Sequence, residues 1–195
     1  MNNKLHDSEV NTDTKITYGI WVYILTDFIM FACLFASFVV LRENTYGAIG
    51  IRSVSPLFYQ LILTLVLLAS SFLFGLSYVQ SKLLNKAGTI SCLFISLVMY
   101  SLFIFLLYNG LHVLFAQGYD WQTSGFLSIY YIITVMFAVH VFIAALWILV
   151  IVIQMLYAGI SIRMSIRMRC LNLYCNYLTL IWILIFTIVY LMRSI

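Results

Sequence analysis

Residues Tyr18–Leu41 read YGIWVYILTDFIMFACLFASFVVL, with Asp27 as the single charged side chain among them. A helix of this length reaches roughly 36 Å at about 1.5 Å per residue, enough to cross ~30 Å of hydrocarbon. Four more such stretches follow, at about Leu57–Val79, Ile90–Phe115, Phe126–Tyr157 and Cys170–Met192. Nothing alternates with period two over the lengths an outer-membrane barrel needs. The pattern predicts an all-α polytopic membrane protein, a bundle of five transmembrane helices. Residues 1–15 are expected to form a polar cytoplasmic tail, and 16–195 a single five-helix membrane domain.

Composition points the same way. Of 195 residues, 65% are hydrophobic and 8% charged, and the mean hydropathy is +1.09. A soluble domain carries about a quarter of its residues as charges. The net charge of +4 does not suggest nucleic acid, because the basic residues are spread along short loops as topology signals are. Lys4, Lys15, Lys82, Lys86, Arg163, Arg167 and Arg169 fall on one side, against Arg42, Arg52 and Arg193 on the other. The N-terminus is therefore expected in the cytoplasm and the C-terminus outside. The stretch MNNKLHDSEVNTDTK lacks the apolar region of a cleavable signal. Tyr18, Trp21, Tyr119 and Trp121 read as interfacial anchors. Ser55 and Pro56, the only proline, have the cap and first-turn arrangement of a helix start. No proline interrupts a span, so the broken helices of many transporters have no evident source. The fourth stretch is longer than a bilayer requires and is expected to tilt or to continue beyond it. Small residues four apart, Ala32 with Ala36 and Ser71 with Gly75, would allow close helix approach.

Catalytic equipment is sparse. Cys33, Cys92, Cys170 and Cys175 form no CxxC and read as small hydrophobes. An acid at mid-membrane is costly unless neutral or paired, which singles out Asp27. His140 is the only deep histidine, since His6 lies in the tail and His112 near the outer end of the third helix. One deep imidazole cannot build a bis-histidine haem, and a copper site typically needs more soft or imidazole ligands. Asn109 and His112 share a helix face, as do Asn176 and Thr179; interhelical or headgroup hydrogen bonding is the expectation for both pairs. No phosphate loop, nucleophile elbow or paired-carboxylate arrangement appears. No catalytic, cofactor-binding or metal-ligating residue is assigned. Asp27 is expected to face the bundle or a partner, never lipid, with His140, Thr26, Ser37 or a group on a partner subunit as candidate contacts.

The first helix, YGIWVYILTDFIMFACLFASFVVL, resembles the first helix of subunit III of the cytochrome o (bo-type) ubiquinol oxidases. SGFLS at Ser124–Ser128 resembles the segment opening that family's next-to-last helix. Trp182 with FTIVYLM at Phe186–Met192 is similar to its C-terminal helix. The similarity runs from about Lys15 to Met192. Five helices also fit the quinol-oxidase branch better than the cytochrome-c branch, whose third subunit usually has seven. The resemblance implies a non-redox subunit of a haem-copper oxidase that oxidises ubiquinol, reduces oxygen to water and pumps protons. Haem and copper are then expected in the partner catalytic subunit, and none in this chain. Subunits I, II and IV and membrane lipids are the implied partners, with no nucleic acid and no soluble substrate, in the bacterial inner membrane.

The match has gaps. An HGLH-like stretch of the family is FAVH here, with Phe137 in the first position and His140 retained. The glutamates near a YEF-like segment correspond to Leu106 and Asn109. A WHFLD-like stretch has become CNYLT, Cys175 to Thr179. These departures remove most intramembrane groups that could support proton conduction by this subunit and leave its shape intact. The implied role is support of the catalytic subunit in assembly and stability. A small polytopic transporter or channel subunit, with Asp27 and His140 lining a path, is the alternative.

Overall fold

The computed structural model describes residues 2–42, 57–158 and 162–191. The elements are α1 (Asn2–Leu41), α2 (Leu57–Lys82), α3 (Lys86–Ala116), α4 (Gly125–Ala158) and α5 (Ile162–Ile185), which ends in a π-helical turn over Phe186–Leu191. Each of the five helices is long and apolar enough to cross a membrane. No strand occurs among the described residues. Ser55 and Pro56 lie outside them, so the expected cap of α2 does too.

The helix ends extend past the apolar stretches, and polar side chains explain why. The N-terminal stretch continues α1 back to Asn2, although the part able to cross a membrane is Thr14–Leu41. α5 starts at Ile162 rather than near Cys170. Its first turns carry arginines whose heads find partners: Arg167 donates to Gln154 at 2.7 Å, and Arg169 to the Thr17 hydroxyl at 2.9 Å. Long basic side chains can bury their stems and keep the head near the membrane surface. α2 likewise runs on to Lys82, whose ammonium lies 4.7 Å from the Tyr78 ring centre.

Local chemistry sets the turns. Asn85 caps α3 by accepting from the Gly88 N–H, after Leu84 takes a positive φ of 57°. At the other end of α3, Gly118 (φ 83°) closes a Schellman turn, with its N–H bonded to the Phe115 carbonyl and the Tyr119 N–H to that of Leu114. Ser124 caps α4 through the Leu127 N–H at 3.2 Å, so SGFLS is a helix-start signal.

α4 and α5 form the centre. α2 packs along α3 and against α5, whereas the extensive contacts of α1 are with α4 and α5. α2 and α3 approach through hydroxyl-bearing residues: Ser70, Ser77, Ser81, Thr89 and Ser96 are all buried, and Ser96 donates to the Ser70 carbonyl at 3.0 Å. Small residues and interhelical hydrogen bonds are the usual means of helix association in lipid. Trp182 joins four helices. Its indole lies 5.0 Å from both Phe103 of α3 and Phe137 of α4, and its N–H reaches Thr64 of α2 at 3.0 Å. Of the two small-residue pairs, Ser71 and Gly75 do face α5. Ala32 and Ala36 are exposed instead, because spacing along a helix does not specify which face a neighbour takes.

Candidate functional site

Asp27 sits on the α1 face turned toward α4 and is 7% exposed. Its Oδ1 lies 2.9 Å from Nε2 of His140. The other ring nitrogen, Nδ1, lies 2.7 Å from the Met136 carbonyl oxygen, one turn back on α4. Phe31 closes one side of the imidazole at 5.4 Å between ring centres. The Tyr174 hydroxyl of α5 donates to the His140 carbonyl at 3.4 Å. Three helices thus meet at one polar knot inside an apolar bundle.

The hydrogen bonds fix the proton count. A carbonyl oxygen only accepts, so Nδ1 of His140 carries a proton. A second proton must then lie between Nε2 and Oδ1, since two lone pairs would repel at 2.9 Å. Either the protonated acid donates to a neutral imidazole, or an imidazolium donates to a carboxylate. The pair has no net charge in both arrangements, which is how such groups are tolerated at this depth. Asp27 Oδ2 and the buried Tyr177 hydroxyl make no well-aligned hydrogen bond among the described residues, although that hydroxyl lies within electrostatic reach of the Asp27 carboxyl.

The other sequence candidates are scattered. Thr26 and Ser37 bond the carbonyls of Val22 and Cys33 on their own helix and are exposed, so neither holds Asp27. His112 is exposed on α3 with its ring beside Tyr108. Asn109 is half-buried one turn away and makes no hydrogen bond among the described residues. Asn176 accepts from Ser71 of α2 at 3.2 Å, whereas Thr179 bonds the Cys175 carbonyl within α5. Several interhelical contacts were not evident in the sequence. Besides the Thr64–Trp182 and Ser70–Ser96 bonds, Tyr59 donates to the Leu106 carbonyl and Tyr130 pairs with Tyr190 at 3.0 Å. The buried serines of α2 at i, i+7 and i+11 (Ser70, Ser77, Ser81) were the available signal.

Haem or copper ligation does not fit these residues. Both ring nitrogens of His140 are committed. No group of three or more His, Cys, Asp or Glu side chains comes together among the described residues. A cavity of about 10 Å³ lined by Tyr59, Gln60, Gly110, Tyr130 and Thr134 has room for one water at most.

The family profile for cytochrome c oxidase subunit III matches residues 3–194. The chain is 34% identical over 189 residues to a cytochrome bo(3) ubiquinol oxidase subunit 3 from Pseudomonas aeruginosa, covering 97% of this chain and 88% of that one. It is 33% identical to the protein of the same name from Pseudomonas putida, over 96% of this chain and 88% of the relative. A quinol oxidase subunit 3 from Bacillus subtilis is 29% identical over 89% of this chain and 85% of its own length. With five membrane-length helices among the described residues and a nearly full-length match, the chain belongs to the cytochrome c oxidase subunit III family.

Proposed function

We propose that this chain is the non-redox subunit III of a proton-pumping ubiquinol oxidase in a bacterial inner membrane, and that it supports assembly and stability of the catalytic subunit. The observation that carries this reading is the Asp27–His140 pair. The chain's deep acid and its deep histidine bond each other, which commits the deep imidazole and ties α1 to α4. Relatives named as quinol oxidase subunits supply the reaction of the complex. Haem and copper belong to a partner catalytic subunit, and subunits I, II and IV together with membrane lipids are the partners. The pair acts as a structural clasp, not a relay, because no companion acid lies beside it among the described residues to pass a proton onward. A transporter or channel reading would need both groups to face a path, whereas they face each other.

The excess of basic residues on one side supports a cytoplasmic N-terminus and a periplasmic C-terminus. Mild detergent extraction of the tagged chain tests the function. Haem-bearing chains with ubiquinol oxidase activity should come down with it, and recovery of the chain free of haem would overturn the reading.

A further inference from the structure

Asn176 lies next to Tyr177, the central residue of the span Met164–Tyr190. Asn172 is one turn, about 6 Å, nearer the cytoplasmic end. Both carbonyls lie on the α2 side, and among the described residues that of Asn176 alone is hydrogen-bonded there. Ser71 donates to Oδ1 of Asn176 at 3.2 Å. Oδ1 of Asn172 is buried where a Cβ on Gly75 would sit 3.8 Å away. Each side chain also carries an amide nitrogen with two donor hydrogens. Neither nitrogen donates a hydrogen bond among the described residues, and Asn176 is exposed. Leu180, Ile183 and Thr187 continue the same exposed face of α5. α1 and α2 each pack on α5 and have their other extensive contacts elsewhere, so this face is the floor of a groove between them.

An amide donor exposed to acyl chains has nothing to bond, and an unmet donor in hydrocarbon costs several kcal/mol. Lipid headgroups and esters lie roughly 15 Å from mid-membrane and do not reach Asn176. Surface exposure of this kind therefore marks a contact with protein. We propose that the groove floored by Asn172, Asn176 and Leu180 receives a transmembrane helix of another oxidase subunit, one presenting hydrogen-bond acceptors at mid-membrane depth. Two acceptors about one helical turn apart on that helix would satisfy both amides. Leu180 and Ile183 would bury against its apolar positions. This deepens the oxidase reading and rests on it.

The test uses the assembled oxidase in native membranes. A photoreactive phenylalanine analogue (p-benzoylphenylalanine) replaces Leu180 on the groove floor or, as a control, Phe105 on the exposed face of α3; both sites are exposed, so the fold is retained. Illumination should link position 180 to a different oxidase subunit. Only lipid adducts or a self-dimer at position 180, while haem-bearing chains still co-purify, would overturn the groove assignment. Failure of haem-bearing chains to co-purify at all would instead overturn the oxidase reading beneath it. Independently, N172L/N176L should lower the haem recovered with the tagged chain by more than about tenfold, since one intramembrane contact is worth roughly five- to thirtyfold and two are lost. Asn176→Gln, which keeps the donor, should retain most of it. Equal recovery in the double variant would contradict the proposal.

Discussion

Replacing Asp27 separates a clasp from a relay. The bond to His140 is 2.9 Å long, with the two side chains 7% and 8% exposed, so no solvent competes for either group. In Asp27→Leu the imidazole keeps its Nδ1 proton on Met136, but Nε2 is left buried with no donor. Losing one intramembrane contact costs about 1–2 kcal/mol, a factor of roughly 5–30 in the population of the intact bundle. In Asp27→Asn the new amide can donate to Nε2, and the loss should stay within ~0.5 kcal/mol. Both variants are assayed as the fraction of oxidase retaining this chain through a detergent series, with turnover and proton pumping measured on the same preparations. A double-mutant cycle with His140→Leu should recover most of the loss, because the orphaned nitrogen is removed as well. A Leu variant as robust as the parent would refute the energetic argument. An Asn variant that assembles normally but no longer pumps would refute the structural role and make Asp27 a proton carrier.

Two further outcomes follow from the packing and the charge pattern. Trp182→Phe should cost about 1 kcal/mol through loss of the bond to Thr64, and Trp182→Ala about 3–5 kcal/mol by opening a cavity among four helices, both read as lower thermal midpoints of the detergent-solubilised oxidase. A reporter active only in the periplasm should work when fused after Met192 and fail within residues 80–89; the reverse pattern would invert the topology.

The five spans were legible because hydropathy is a property of each segment taken alone. Helix ends were less so, since arginines and lysines stay helical while their heads reach the surface, as Arg167 and Arg169 do at the start of α5. The depths of Asp27 and His140 follow from counting residues, which made their pairing conceivable. Counting cannot give the rotation of α1 and α4 about their axes, so in the sequence Thr26 and Ser37 are equal candidates. The same limit explains why Ala32 and Ala36 read as a packing pair and yet face outward. In the sequence Trp182 is legible only as part of a family-like ending, because its role depends on Thr64, Phe103 and Phe137 arriving from three other helices.

The attachment of α1 to α4 and α5 has a consequence for biosynthesis. Asp27 precedes its partner by 113 residues, so at about 5–20 residues per second the ribosome needs roughly 6–23 s to supply His140. The α2–α3 hairpin, held by contacts close in sequence, can settle meanwhile. α1 is made first but has no place to dock until α4 has been inserted and α5 follows. The earliest made of these five helices is therefore among the last to be locked, and the acid it carries makes that wait the most exposed interval in the life of the chain.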